Sequence, residues 1–179
     1  MTSSKKSYLE GGLRKALFLD RDGVVNVEKN YLHKIEDFEL IDGIIEICRA
    51  YQDNGYLIII VTNQSGISRG YYNEEDFAIL SEWMIEHFKT LGITITHIYH
   101  CPHHESIDGV CECRKPEPGM FLSAQKEYDL DMAGSVMIGD NERDIEAALR
   151  AGVGMNILLS TDASHSRANR IIHTLQELL

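Results

Sequence analysis

The sequence predicts a doubly wound, Rossmann-like α/β fold: a mostly parallel sheet of about five strands flanked by helices. Three observations carry that expectation. Short apolar runs rich in branched residues alternate with segments of helical periodicity. Several runs stop abruptly on polar residues, at Asp20, Thr62-Asn63 and Gly139-Asp140. At 179 residues the chain suits one domain with a substantial core, and no gap between the runs would hold a large independent cap domain.

Residues 1–14 lack the apolar stretch of a secretory signal and are expected to be a flexible leader. Ala16-Leu17-Phe18-Leu19 predicts a buried strand ending on Asp20. The mixed stretch EKNYLHKIEDFELIDG predicts a loop or flap, with an ordinary connector as the alternative. Ile44, Ile45, Ile47, Cys48 and Tyr51 recur at helical spacing, and Asn54-Gly55 supplies the stop. Cys48, on that apolar side, is expected in the core. Leu57 to Val61 predicts a second strand ending on Thr62-Asn63. After the polar turn QSGISRG, Asn73 with Asp76 at the N3 position predicts a capped helix. Phe77, Leu80, Met84, Phe88 and Leu91 line its apolar side, with Trp83 among them. A third strand is expected over 94–99. Pro116 and Pro118 frame another helix start, whose apolar side Met120, Leu122 and Tyr128 help cover. A strand over 135–138, a helix over 141–151, a strand over 155–159 and a closing helix over 168–179 complete the expected order.

A formal net charge of −11 argues against a general nucleic-acid or anionic-membrane binder, because both need basic surface. No stretch approaches the roughly 20 apolar residues of a membrane span, so the cytoplasm is the expected compartment. The same charge would repel a phosphorylated substrate unless cations are concentrated locally.

The strand ends supply such a site. Asp20 and Asp22, two residues apart with Gly23 to turn the chain, lie where open parallel sheets bind ligands. One carboxylate can attack phosphorus while the other moves protons, provided a divalent cation offsets their charge. Alone, this pattern also fits a solvated acidic turn. Thr62 and Asn63 could hold a phosphoryl oxygen, and Arg114-Lys115 bring cations suited to phosphate. Asp140 is followed one helical turn later by Asp144 on the same face.

Cys101, His103, Cys111 and Cys113 form a C-x-H…C-x-C arrangement within thirteen residues. Three thiolates and one imidazole make a closed tetrahedral Zn²⁺ site of the structural kind, with free thiols or a redox pair as alternatives. His104 could replace His103. A closed site leaves no position to activate water, so the loop over 101–113 would act as a staple, delivering Arg114 and Lys115 to the phosphate.

The set DRDG, VTNQSG, CRKP and GDNERD resembles the haloacid dehalogenase-like phosphatases from about Lys15 to Leu159. Within them the chain looks most like the D-glycero-D-manno-heptose 1,7-bisphosphate 7-phosphatases, with histidinol-phosphate phosphatases as close relatives sharing the cysteine loop. The resemblance implies Asp20 as nucleophile through an aspartyl-phosphate, Asp22 as general acid/base, and Thr62 and Lys115 as stabilisers of the phosphoryl group. It implies Mg²⁺ on the Asp20 carboxylate, the Asp22 backbone carbonyl and Asp140, with Asp144 ordering metal-bound water or Lys115. It also implies structural Zn²⁺, with His103 as the fourth ligand.

Substrate recognition is expected from Glu28, Lys29, Asn30 and Tyr31 of the flap, with Asn63, Gln64, Ser65, Arg69 and Arg114. For Arg69 a solvated turn position is the alternative. Two positions depart from the relatives: Val24 stands where many have threonine, and Asn141 where some heptose phosphatases have lysine. The implied protein is a cytoplasmic monomer of one domain, acting on a small phosphorylated sugar on the route to nucleotide-activated heptose, a lipopolysaccharide or capsule precursor. The rivals are a histidinol-phosphate phosphatase, another sugar-phosphate phosphatase, a DNA 3′-phosphatase, and a zinc-stabilised binding module without turnover.

Overall fold

The computed structural model describes residues 12–179, so most of the expected leader lies outside the described residues. The strands are β1 (Ala16–Leu19), β2 (Leu57–Asn63), β3 (Ile95–Cys101), β4 (Val136–Gly139), β5 (Met155–Leu159) and β6 (Arg170–Ile172). They form one sheet in the order β3-β2-β1-β4-β5-β6, every pairing parallel. The winding direction reverses between β1 and β4. In such sheets the crevice at the strands' carboxyl ends beside that reversal is where ligands bind.

Successive side chains of a strand face opposite sides, and both sides of this sheet are covered. Leu17, Leu19, Ile58, Ile60 and Ile138 pack with Ile44, Ile47 and Cys48 of α1 (Ile44–Asp53) and Met84 and Phe88 of α2 (Glu74–Thr90). The intervening residues, Ala16, Phe18, Ile59, Val61 and Met137, face the opposite layer. After the one-turn α3 (Glu105–Asp108), that layer is built from α4 (Gly119–Tyr128) and α5 (Glu142–Arg150). Burial on both faces explains why the strands read as continuous apolar runs. The expected caps are present: Asn73 and Asp76 exchange side-chain-to-backbone hydrogen bonds at the start of α2. Among the described residues no helix is long and apolar enough to cross a membrane.

Four expectations need correction. Among the described residues the sheet has six strands where about five were expected, because no closing helix forms over 168–179. Asn169 and Asn156 exchange hydrogen bonds, laying Arg170–Ile172 along the edge of β5. The helical signal survives only in a 3-10 turn over Leu175–Leu178, which starts at a capping box between Thr174 and Glu177. The third strand begins one residue late and runs two residues further, to Cys101, because its pairing follows β2 as far as Asn63. Ser135 lies outside β4, its hydroxyl accepting from the Ala16 N–H and donating to the Asp131 carbonyl. On α4 Met120 is buried as expected, but the place expected for Leu122 is taken by Phe121, whose ring sits 4.9 Å from that of Phe18, while Leu122 is 45% exposed.

Phe121→Ala should therefore destabilise the protein by about 3–5 kcal/mol, the range for a buried aromatic. Leu122→Ala should cost under about 1 kcal/mol. Urea melts of both variants check this, and equal losses would contradict the helix orientation.

Candidate active site

Three strand ends and the segment after the cysteine loop meet at one buried lysine. Lys115 Nζ lies 2.8 Å from Asp20 Oδ1, 2.7 Å from Asp144 Oδ1 and 2.8 Å from the Val61 carbonyl oxygen. Its backbone is pinned by Asn63, whose Nδ2 donates to the Lys115 carbonyl and whose Oδ1 accepts from the Lys115 N–H. Asp144 is aimed from the first turn of α5, where its other carboxylate oxygen accepts from the Asn141 N–H at 3.0 Å. Asp140 directly follows β4 and approaches the Gly23 backbone closely. A Cβ at Gly23 would lie 2.0 Å from Asp140 Oδ2, and Gly23 sits at φ +89°, so glycine is required there on both counts.

Carboxylate oxygens of Asp20, Asp140 and Asp144 lie within 4.8 Å of one another. Burial, and then the charge of Asp144, raises the Asp20 carboxyl well above the ordinary carboxylate range. The same two causes push Asp140 up to about 6. Burial alone would pull Lys115 down, but Asp144 and Asp20 outweigh it and hold the ammonium above its usual value. Three carboxylates thus share one ammonium, an imbalance that a divalent cation among the oxygens would offset. Oxygen donors, mostly carboxylate, are what a hard cation such as Mg²⁺ takes.

These groups line a narrow pocket of about 90 Å³ that also includes Asp22, Glu28, Thr62 and Asn63. Asp22 is not part of the carboxylate cluster. Its carboxylate accepts from Arg21, Asn26 Nδ2 and Gln64 Nε2, and so is held in place on the pocket wall. The same wall faces a wider cavity of about 350 Å³, rimmed by Asn30, Tyr31, Ser65, Arg69 and Arg114. Gln64 also faces this cavity, its amide bridging Asp22, the Thr62 hydroxyl and the Tyr72 hydroxyl. Asn30 and Tyr31 hold φ of +49° and +65°, a strained pair at the flap tip that presents Tyr31 over the cavity.

The placement of expected residues is uneven. Lys29 lines neither space and pairs with Glu39 at 3.0 Å. The side-chain amide of Asn63 is engaged by the Lys115 backbone. Val24 is fully buried in the core under the sheet, so the hydroxyl it lacks is replaced there by apolar packing. Asn141 caps α5 through its Oδ1, which accepts from the Arg143 N–H. Sequence reasoning missed Arg143, which faces both the narrow pocket and the wide cavity, and Tyr72. The signal for Arg143 was its position three residues after Asp140, at the mouth of the site.

In the loop after β3, sulfur and nitrogen atoms of Cys101, His103, Cys111 and Cys113 converge within 4.8 Å, so the cluster can hold a metal ion. Burial raises the Cys101 thiol. Burial also acts to raise Cys111, but hydrogen bonds from the Arg114 backbone and His103 outweigh it and bring that thiol down to about 7. Arg114 donates to the His103 carbonyl, so its guanidinium is tied to the loop.

A family model described as HAD-hydrolase-like matches residues 112–177. The D-glycero-alpha-D-manno-heptose-1,7-bisphosphate 7-phosphatase of Campylobacter jejuni is 51% identical over 92% of this chain and 94% of its own. The corresponding beta-heptose enzyme of Yersinia pestis is 48% identical over 82% of this chain and 80% of its own. The crystal structure of D,D-heptose 1,7-bisphosphate phosphatase from B. bronchiseptica, complexed with magnesium and phosphate, superposes with a TM-score of 0.79. It is 30% identical, and the match covers 92% of this chain and 95% of that one. Fold and site together define a haloacid dehalogenase-like phosphatase, a phosphoric monoester hydrolase. More narrowly, the chain belongs to the D-glycero-D-manno-heptose 1,7-bisphosphate 7-phosphatase family.

Lys115→Met should destabilise the metal-free protein by about 3–5 kcal/mol at pH 7.5, the usual range for breaking a buried ion pair. Without Lys115 the Asp20 carboxyl, already raised, moves higher still. A carboxyl raised in the folded state opposes folding above its unfolded value of about 3.9, and the penalty grows until the folded pKa is passed. The deficit should therefore shrink when the urea melts are repeated at pH 5. A deficit independent of pH would show that Lys115 does not act through this carboxyl.

Proposed function

We propose that this chain is a Mg²⁺-dependent phosphatase that removes the 7-phosphate of a D-glycero-D-manno-heptose 1,7-bisphosphate. The observation that carries this reading is the pair of adjoining spaces, one narrow and holding the carboxylates and lysine, the other wide and rimmed by arginines. Asp22 stands on the wall of both. A substrate with two phosphates at opposite ends of a polar sugar fits that division. The names of the relatives support the same substrate. Histidinol phosphate, with one phosphate and a cationic amine, would bring its positive end to Arg69, Arg114 and Arg143. The net charge of −11 opposes a polynucleotide substrate.

In the narrow pocket an oxygen of Asp20 attacks the 7-phosphorus, forming an aspartyl-phosphate as the bond to the sugar oxygen breaks. Asp22 gives its proton to that leaving oxygen, then takes one from the water that attacks the same phosphorus. The aspartyl–phosphorus bond breaks, inorganic phosphate leaves and Asp20 is regenerated. Lys115 and the Thr62 hydroxyl stabilise the charge spread over the equatorial oxygens. Asp20 and Asp140 would hold the magnesium, which would supply the positive charge that lets a carboxylate approach a phosphate. Asp144 orients Lys115 across their 2.7 Å contact. The enzyme acts as a cytoplasmic monomer of one domain.

The cysteine cluster we assign to structural zinc. A tetrahedron with Zn–S of about 2.3 Å and Zn–N of about 2.0–2.1 Å has S···S edges of about 3.8 Å and S···N edges of about 3.6 Å. Here Cys101 and Cys111 sulfurs are 3.6 Å apart, as are those of Cys111 and Cys113. His103 Nδ1 lies 3.6 Å from Cys101 Sγ and 3.3 Å from Cys113 Sγ. Four protein ligands leave no open position for catalysis.

Phosphate release should be fastest from the heptose 1,7-bisphosphate in a panel containing both its anomers, fructose 1,6-bisphosphate, histidinol phosphate and a 3′-phosphorylated oligonucleotide. Asp20→Asn should abolish turnover with the fold intact, since an amide cannot form the acyl-phosphate. Preference for another panel member, or wild-type turnover by Asp20→Asn, would refute the reading.

The zinc assignment has its own test. Purified protein should carry about one Zn²⁺ per chain, and Cys111→Ser should lose it. Lys115 lies two residues beyond Cys113, so its aim should relax when the loop is freed, and a displacement of about 1 Å can lower the rate on the order of a hundredfold. Zinc content, far-UV circular dichroism and kcat/KM are measured on the same sample. A zinc-free variant with wild-type kcat/KM would overturn the staple.

A further inference from the structure

The turn that follows β2 is clasped to the cysteine loop along its length. The Gln64 N–H donates to the Cys101 carbonyl at 2.7 Å, and the Ser68 N–H to the Pro102 carbonyl at 3.2 Å. The Ser68 hydroxyl donates to Asp108 Oδ2 at 2.5 Å, and the same oxygen accepts from the His104 N–H at 2.7 Å. Finally, Arg69 Nη2 lies 2.6 Å from His104 Nε2.

That last contact has only one polarity. A guanidinium can donate but not accept, so His104 Nε2 is the acceptor and the ring proton sits on Nδ1. Nδ1 has a partner suited to it, the Ser106 hydroxyl at 2.8 Å. The imidazole is thus held in one tautomer by the short α3 turn and anchors one edge of the guanidinium. The Arg69 guanidinium carbon also lies 6.0 Å from the centre of the Tyr31 ring, itself packed edge-on against Tyr71 at 4.7 Å. Among the described residues no other side chain hydrogen-bonds to the Arg69 guanidinium. Its remaining N–H groups are therefore available to the wide cavity that Arg69 and Tyr31 both line.

We propose that His104 is a positioning residue. It fixes Arg69 over the wide cavity so that the guanidinium receives the substrate phosphate that is not transferred, coupling the cysteine loop to substrate affinity as well as to Lys115. This rests on the functional reading above. An arginine left free in an exposed turn would lose side-chain entropy each time it bound an anion. Anchored by His104 and Tyr31, it loses much of that freedom beforehand. The role belongs to binding of the distal group, so it should appear in KM and leave the chemical step alone.

The test uses the full chain with heptose 1,7-bisphosphate and the corresponding 7-monophosphate. His104→Ala should raise KM for the bisphosphate about tenfold, the effect of losing one charge-assisted hydrogen bond, with kcat within about twofold. KM for the monophosphate should not move. His104→Gln, whose amide oxygen can accept from Arg69, should restore most of the affinity. Arg69→Gln should raise the same KM, and adding His104→Ala to it should change little more, since both act through one contact. Metal content is measured on every variant. An unmoved KM in His104→Ala, or full additivity with Arg69→Gln, would overturn the proposal. So would a joint fall of kcat and metal content, which would make His104 only a support for the loop. Wild-type protein that fails to turn over the bisphosphate would refute the functional reading. Normal wild-type turnover with an unmoved KM in the variant would refute the positioning role alone.

Discussion

The contact on which the site depends is the buried ammonium of Lys115 between Asp20 and Asp144. Each partner comes from a different part of the chain: the end of β1, the first turn of α5, and the segment that leaves the cysteine loop. Burying one cation against these carboxylates is unfavourable unless geometry and hydrogen bonding are close to ideal. Much of the surrounding structure meets that demand. Asn63 fixes the lysine backbone from the end of β2, the Asn141 N–H steadies Asp144, and the Val61 carbonyl takes the remaining Lys115 proton.

The sheet topology explains why these groups can meet at all. β1 lies between β2 and β4, so three carboxyl ends are neighbours although their residues are far apart in the chain. The crowding this causes is absorbed by backbone: a side chain at Gly23 or Gly139 would occupy the space of Asp140 or Asp144. The sheet core is apolar on both faces and makes no use of these polar ends. Electrostatic strain is therefore confined to the crevice, where raised carboxyls mark a place made for added positive charge.

How much of this could be read beforehand follows from what each signal depends on. Strands buried on both faces show themselves as apolar runs, and their abrupt polar ends marked Asp20, Thr62 and Asp140. Helix caps are local, so Asn73 with Asp76 was legible. The C-terminal segment was not, because Ile171 and Ile172 suit a helix face or a strand equally, and the choice was made by Asn169 bonding to Asn156. Phe121 and Leu122 are one residue apart, and periodicity cannot say which of them meets Phe18. Arg143 escaped notice because an arginine in an acidic helix start looks solvated until the fold turns it toward two cavities. Lys29 failed for the opposite reason: it had a flap position and a charge, but Glu39 was nearer.

Among the described residues the site is edged by short loops, and short loops are mobile unless tied down. The cysteine loop is placed to tie down two of them. Its first cysteine, Cys101, ends β3, and the Cys101 carbonyl accepts from the Gln64 N–H; its last, Cys113, leads two residues later into Lys115. Between them Asp108 and His104 reach the turn carrying Ser68 and Arg69. One ordered cluster thus constrains a wall of the wide cavity and the cation of the narrow pocket together. Rigidity at that point reaches both spaces, which is what the proposed division of a bisphosphate between them requires.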